Sequence, residues 1–175
     1  KGNPLHRDML YAAQKINLSF ILNVIINGEK KIIQAFSGHR EKAHEAGCNF
    51  LSKLAGAKKK MADIVITTNG GYPLDQNIYQ SVKSMTAAEA TCKQDKIIIV
   101  VTECSDGHGG DAFYHTFKDA ETVEEVIKKI EERDRNQTEP DQWESQVLAR
   151  ILLKHKVILV TEKKNRELVE NMKME

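Results

Sequence analysis

The sequence predicts a layered α/β fold with a mostly parallel sheet, and two observations lead to this prediction. Three short runs, IVIT, IIIVVT and VILV, are continuously apolar and β-branched, which is typical of parallel strands covered on both faces. Segments with helical periodicity separate these runs, as crossovers between parallel strands require. A hairpin pattern before them does not continue this alternation, so we expect the terminal strands and helix of a second α/β domain to precede the sheet.

Residues 1–49 are expected to form the end of that N-terminal domain together with an interdomain helix. Residues 5–15 have a helical pattern. Two β-rich runs, at 18–27 and 31–36, are joined through Asn-Gly, which is a strong hairpin signal. Residues 40–57 return to helical periodicity, and we place the domain junction within this helix.

Residues 50–175 are expected to form a C-terminal α/β domain that contains the three apolar runs. Thr122 opens a capping-box spacing, and Pro140 stands where a first helical turn tolerates proline. The chain starts at Lys1 and ends inside a helical pattern, so we expect a truncated piece of a longer protein. The predicted strands are 64–68, 96–102 and 157–161, and the predicted helices are 75–92, 122–133, 140–154 and 165–175.

Composition favours a globular protein without a strong electrostatic partner. The 175 residues are 41% hydrophobic and 29% charged, with a formal net charge of +1. This balance gives no reason to expect nucleic acid or an acidic membrane surface as a partner. No apolar run approaches the roughly 18 residues that span a bilayer. Cys48, Cys92 and Cys104 are an odd number without C-x-x-C spacing, so we expect reduced thiols and a cytoplasmic location.

The stretch from Ala62 to Met85 is the most informative segment for function. It predicts a strand, a Gly-Gly-x-Pro turn and a helix whose N-terminal N–H groups could receive a small anion. Asp75 is expected to cap this helix. Tyr79, Gln80 and Lys83 share a helical face, where an ammonium and an amide would bind a carboxylate. A solvent-exposed face with an incidental tyrosine explains the same pattern, and the residues alone leave both interpretations open.

The loop from Glu103 to Asp111 follows the second predicted parallel strand and is rich in glycine and potential ligands. Glu103, Asp106, His108 and Asp111 suggest a metal site, but their spacing matches no EF-hand or zinc motif. Because its glycines permit close approach to a neighbour, we favour a rim or docking loop.

Trp143, the only tryptophan, lies in a predicted helix. A lone tryptophan usually belongs to a core or an interface, although its flat ring can also line a ligand pocket. The chain contains no Ser–His–Asp order, P-loop or G-x-G-x-x-G motif, so these patterns assign no catalytic residue.

Four long motifs resemble the nickel-dependent lactate racemase family, and the resemblance extends over essentially the whole chain. The most specific is NGGYPLDQNIYQSVKSMTAAEA. The others are GNPLHRDM near the start, FSGHREKAHEAG before the first parallel strand and IIIVVTECSDGHGG after the second. The resemblance therefore identifies the chain as the C-terminal portion of such a protein.

The resemblance implies two α/β domains that enclose a cleft. In that family a nickel-pincer cofactor is attached through a lysine of the N-terminal domain, and hydride leaves lactate C2 and returns to either face. Histidines of the same domain act as acid and base and complete the nickel coordination. These groups would lie before Lys1, so we expect no catalytic, cofactor-binding or metal-binding residue in this chain, no nickel-pincer nucleotide on it, and no activity from it alone.

The resemblance also implies which residues of this chain contact substrate. Lys83 would hold the lactate carboxylate, Gln80 would help to orient it, and Tyr79 and Trp143 would line the pocket. The expected partners are a small 2-hydroxy acid and the N-terminal domain, without nucleic acid or membrane. Two alternatives stay open: a racemase or epimerase of another 2-hydroxy acid, and a non-catalytic ligand-binding module.

Overall fold

The computed structural model describes residues 2–175, which divide into two compact units with the boundary between Lys58 and Lys59. The first unit contains a two-stranded antiparallel hairpin and two helices. The hairpin turn forms because the side-chain oxygen of Asn27 accepts hydrogen bonds from the N–H groups of Glu29 and Lys31, each at 3.0 Å. The predicted hairpin is therefore confirmed. The elements are α1 (Pro4–Lys15), β1 (Ile21–Ile26), β2 (Ile32–Gly38) and α2 (Arg40–Ala55).

The second unit is built on a parallel sheet of three strands in sequence order, which confirms the predicted α/β class. The central strand pairs on both sides, and its Ile98 lies opposite Val65 and Val157. The longest of the three runs therefore lies in the middle of the sheet. The strands are β3 (Ala62–Thr68), β4 (Cys92–Val101) and β5 (His155–Val160).

Helices follow each strand of this sheet and form the core against one of its faces. Ile98 and Val100 of β4 are fully buried there, together with Phe113, Phe117 and Leu148 from the helices. None of the helices among residues 2–175 is long and apolar enough to cross a membrane. The helices are α3 (Ile78–Glu89), α4 (Asp111–Lys118), α5 (Val123–Glu132), α6 (Gln142–Leu152) and α7 (Arg166–Asn171), the last preceded by a short 3-10 turn (Lys163–Asn165).

The other face of the sheet differs from the expectation that both faces are covered. Ile66 is 69% exposed, and Ile64, Val101 and Val160 are also exposed. Alternating residues of the same strands, such as Val100, are buried. A continuous apolar run shows that the side chains on both faces of the sheet are apolar, but it does not show that both faces are covered within the chain.

The helices at the C-terminal end differ from the prediction at their boundaries. The helix that was expected to start at Pro140 begins at Gln142, because Asp141 adopts a left-handed conformation at the N-cap position. The last helix ends at Asn171 instead of running to the C-terminus. Glu175 instead exchanges backbone hydrogen bonds with β5, donating to Val157 and accepting from Leu159.

Helix α4 was not predicted. Its sequence, DAFYHTFK, contains three aromatic residues, a histidine and a threonine, all with modest helix propensity. The helix is stabilised mainly by packing, because Phe113, Tyr114 and Phe117 are buried in the core.

Candidate functional site

The turn between β3 and α3 is fixed to the helix that it precedes. The side-chain amide of Asn69 donates hydrogen bonds to the carbonyl oxygens of Leu74, at 2.6 Å, and Gln80, at 2.5 Å. Gly70 and Gly71 both have φ near +90°, which glycine adopts without strain. These contacts set the position of the first turn of α3, where the candidate residues lie.

Asn77, and not Asp75, is the N-cap of α3, so the predicted capping role of Asp75 is wrong. The Oδ1 atom of Asn77 accepts a hydrogen bond from the N–H of Gln80 at 2.9 Å. Asp75 is buried in the turn, where its carbonyl oxygen accepts from the N–H of Cys104 at 3.0 Å. The helix starts later than predicted because this part of the turn pairs with the loop after β4.

The N-terminal N–H groups of α3 are already hydrogen-bonded, which corrects the hypothesis of an anion site made by free helix N–H groups. The N–H of Ile78 donates to the carbonyl of Gly107 at 3.0 Å. The N–H of Tyr79 donates to the carbonyl of His108 at 3.1 Å, and Asn77 caps Gln80. Any anion at this end of α3 must therefore be bound by side chains.

The loop after β4 docks closely on the start of α3, as the docking-loop interpretation predicted. Gly109 has φ +80°, and a Cβ atom built on it would lie 2.3 Å from the side chain of Asn77. The imidazole of His108 stacks on the ring of Tyr114, with ring centroids 4.8 Å apart. The loop thus holds α3 in place through its backbone and through an aromatic contact with α4.

The potential metal ligands of this loop do not converge on a metal site. His108 Nε2 and Asp111 Oδ1 are 3.6 Å apart. Among residues 2–175, no group of three or more His, Cys, Asp or Glu side chains is arranged to hold a metal ion.

We expect Gly109→Ala to destabilise the protein by about 2–5 kcal/mol, since it combines left-handed strain with displacement of the Asn77 cap. Gly70→Ala is the matched control, because Gly70 has φ +86° and no atom within 4 Å of the added Cβ. It should cost only the strain, about 1–2 kcal/mol. Urea unfolding measures both values, and equal losses would show that the close approach to Asn77 is unimportant.

The structure brings the four sequence-predicted residues together as two pairs. Lys83 Nζ donates a hydrogen bond to Gln80 Oε1 at 2.5 Å. The rings of Tyr79 and Trp143 meet edge to face, with centroids 6.0 Å apart and an interplanar angle of 89°. The Tyr79–Trp143 pair lies where α3 packs against α6, and Gln80 and Lys83 follow Tyr79 in α3. Lys83 is exposed and Trp143 is 57% exposed, so a charged group and an aromatic ring are available to a ligand.

Tyr79 is held between the core and Trp143. Its ring contacts Phe113 edge to face at 5.5 Å. Burial, followed by the negative charges of Asp141 and Glu144, raises the pKa of the Tyr79 hydroxyl. Tyr79 is therefore a neutral phenol at physiological pH and is able to donate a hydrogen bond.

Sequence reasoning missed Glu144, which lies next to Trp143 in α6. Its side chain is 1% exposed, and burial raises its pKa to about 7, with Lys83 lowering it and Asp141 raising it. A glutamate in the first turn of a helix is ordinarily a solvated partner of the helix dipole. The pattern therefore contains no signal for its burial.

This arrangement is suited to binding a small carboxylate. Lys83 supplies a positive charge, and Gln80 keeps its amide N–H groups for a ligand because its oxygen is engaged by Lys83. Tyr79 and Trp143 provide aromatic surface at the same place. Charge-assisted hydrogen bonds to a carboxylate are stronger than neutral ones, so Lys83 would dominate the interaction.

Comparison with known proteins gives the same family as the sequence motifs. The chain is 60% identical, over 174 residues, to a lactate racemase of Thermoanaerobacterium thermosaccharolyticum and 49% identical, over 173 residues, to a lactate racemase of Lactiplantibacillus plantarum. Each match covers 99% of this chain but only 41% of the relative. The chain therefore spans less than half the length of the curated relatives it matches.

A solved structure shows that the fold is shared as well. The lactate racemase apoprotein of T. thermosaccharolyticum matches with a TM-score of 0.92 and 60% identity, over 99% of this chain and 42% of that one. Residues 57–175 match the family model described as the lactate racemase C-terminal domain. The chain belongs to the lactate racemase family, and its residues 57–175 form the C-terminal domain of that family.

Proposed function

We propose that this chain is the substrate-binding part of a lactate racemase, a racemase that interconverts L- and D-lactate. The observation that carries the proposal is the exposed Lys83 ammonium, hydrogen-bonded to Gln80 beside the Tyr79–Trp143 pair. It occurs in a chain that is 60% identical to a protein named lactate racemase. The site offers what a small 2-hydroxy acid requires, namely a cation for its carboxylate and aromatic surface for the rest.

Racemisation itself favours anchoring through the carboxylate. The two enantiomers of lactate differ only in configuration at C2, so a group that serves both must bind a part that they share. The carboxylate is the charged group that they share, and it is also present in pyruvate, the planar 2-oxo acid formed when C2 is oxidised. Lys83 and Gln80 would thus hold the molecule while C2 changes, and the rings of Tyr79 and Trp143 would limit its movement.

A nickel-pincer cofactor on the N-terminal domain would supply the oxidising and reducing chemistry, as a reversible hydride acceptor for C2. The groups that would hold this cofactor are proposed to lie on the N-terminal domain. We propose that residues 1–49 belong to the end of the cofactor-bearing domain and residues 50–175 to the substrate-side domain.

We also propose a cytoplasmic location. Cys48, Cys92 and Cys104 are free thiols, and burial, followed by the charge of Asp63, raises the pKa of the Cys92 thiol. Thiols remain reduced most readily in the cytoplasm.

The full-length protein with its nickel cofactor provides the test. Incubation with L-lactate should give a mixture of both enantiomers, measured by chiral chromatography, and D-lactate should give the same mixture. A panel of larger 2-hydroxy acids, assayed in parallel, identifies the substrate. If the protein turns over another acid but not lactate, it is a different racemase. If the cofactor-loaded protein binds lactate but does not turn it over, it is a ligand-binding module.

A further inference from the structure

Glu144 is a buried carboxyl beside the proposed carboxylate site. It is 1% exposed, and its Oε1 atom has no hydrogen-bond partner within residues 2–175. It immediately follows Trp143 in α6, and α6 packs against α3, the helix that carries Lys83. A buried oxygen without a partner is costly to keep ionised, so the burial of this carboxyl next to Trp143 calls for a physical explanation.

The two charged groups that shift the pKa of Glu144, Lys83 of α3 and Asp141 at the start of α6, act in opposite directions. From α3, the ammonium of Lys83 favours the ionised form, and the neutral phenol of Tyr79 lies in the same cluster. From its own helix, Asp141 favours the protonated form, as burial does more strongly. These effects place the pKa of Glu144 at about 7, so the carboxyl takes both forms near neutral pH.

We propose that Glu144 is a positioning residue for Lys83 and that binding of the substrate carboxylate is coupled to uptake of a proton by Glu144. This proposal rests on the function proposed above. When Glu144 is ionised, its negative charge partly cancels the positive potential of Lys83 and repels an incoming carboxylate. When Glu144 is protonated, Lys83 presents its full charge to the substrate. The proton comes from solvent and goes to the Glu144 carboxylate, and no other bond forms or breaks.

The sign of the pH dependence follows from this coupling. A bound carboxylate adds negative charge near Lys83 and makes ionisation of Glu144 less favourable, so the pKa of Glu144 is higher in the complex than in the free protein. The complex therefore retains the proton at pH values where the free protein has lost it. Linkage then requires the affinity for lactate to be greatest below the pKa of about 7 and to fall as pH rises through it.

The experiment compares the wild type with Glu144→Gln in the full-length, cofactor-loaded protein. Between about pH 6 and about pH 8.5, the KM of the wild type for lactate should rise roughly three- to tenfold more than that of the variant. The pH profile of kcat should be shared by both proteins, since the acid and base groups are unchanged. Glu124→Gln removes an exposed carboxylate from α5 and serves as the matched control, with wild-type profiles expected.

A calorimetric measurement on the wild type guards against poor folding of the variant. Lactate binding near neutral pH, measured in two buffers of different ionisation enthalpy, should show proton uptake, and Glu144→Asp, which keeps a carboxyl group, should retain it. Glu144→Gln should show less uptake than the wild type. The proposal is overturned if the wild type and Glu144→Gln take up the same number of protons on binding lactate, or if their KM values rise equally with pH.

A Lys83→Ala arm distinguishes failure of this proposal from failure of the proposed site. If Lys83→Ala binds lactate as the wild type does, then the carboxylate site is misassigned and both proposals fail. If Lys83→Ala weakens binding while Glu144→Gln leaves the pH dependence unchanged, then only the role of Glu144 fails.

Discussion

Lys83→Ala in the full-length, cofactor-loaded protein is expected to lower kcat/KM for lactate by about 10²- to 10³-fold, which corresponds to roughly 3–4 kcal/mol. The reason is the loss of the charge that we propose binds the substrate carboxylate. Gln80 would remain, but its amide cannot replace a cation. Most of the loss should appear in KM, with a smaller decrease in kcat because a loosely held C2 would less often be in reach of the proposed hydride acceptor.

The loss should be the same for L-lactate and D-lactate, because the carboxylate is common to both. Lys93→Ala is a suitable control, since Lys93 is also exposed but is paired with Asp63 at 2.9 Å. Steady-state kinetics of the conversion of L-lactate and of D-lactate measure these effects. The racemic mixture reached at equilibrium serves as the reference. Unchanged kinetics for Lys83→Ala, or a loss confined to one enantiomer, would contradict the proposed carboxylate anchor.

Phe113→Ala is expected to destabilise the protein by about 3–5 kcal/mol, the usual cost of emptying a buried phenylalanine site. Phe113 is fully buried and contacts both Tyr79 and Phe117 edge to face. Its removal opens a cavity and also takes away the surface that holds the Tyr79 ring. Urea unfolding should therefore show a large loss of stability, and kinetics at a temperature where the variant is folded should show a raised KM.

Phe117→Ala separates these two effects. Phe117 is also fully buried, and its ring contacts Phe113, so its removal should cost a similar free energy of unfolding. The aromatic contacts of Tyr79 are with Phe113 and Trp143. We expect Phe117→Ala to leave KM near the wild-type value. A KM that rises equally in both variants would indicate general loosening of the core and no specific support of Tyr79.

The sequence predicted the sheet and the hairpin because these depend on local patterns. The apolar, β-branched runs of β3, β4 and β5 favour parallel strands, and all three strands pair in parallel, although only one face of the sheet is covered within the unit. Asn27 forms the hairpin turn with its own side chain, so the information lies within a few residues. The capping-box spacing at Thr122 was reliable for the same reason, with its hydroxyl accepting from the N–H of Glu125.

The elements that the sequence did not predict depend on contacts between distant segments. Helix α4 needs the core to bury Phe113 and Phe117, and local propensity does not indicate it. The start of α3 is shifted from Asp75 to Ile78 because the turn pairs with a loop that follows β4. Glu144 is buried by the packing of α6, and a pattern of charges along one helix cannot show this.

The loop that occupies the backbone N–H groups of α3 also determines how readily this site can change its ligand. Backbone donors are present whatever the residues are, so a site made from them keeps its preference for phosphate-like anions through most substitutions. Here the carbonyls of Gly107 and His108 accept from those donors, so in the proposed site recognition would depend on Gln80 and Lys83. If the proposed site is right, we expect one or two substitutions at these positions to change ligand preference without refolding the helix, so this helix face would allow relatives to diverge in the acid they bind.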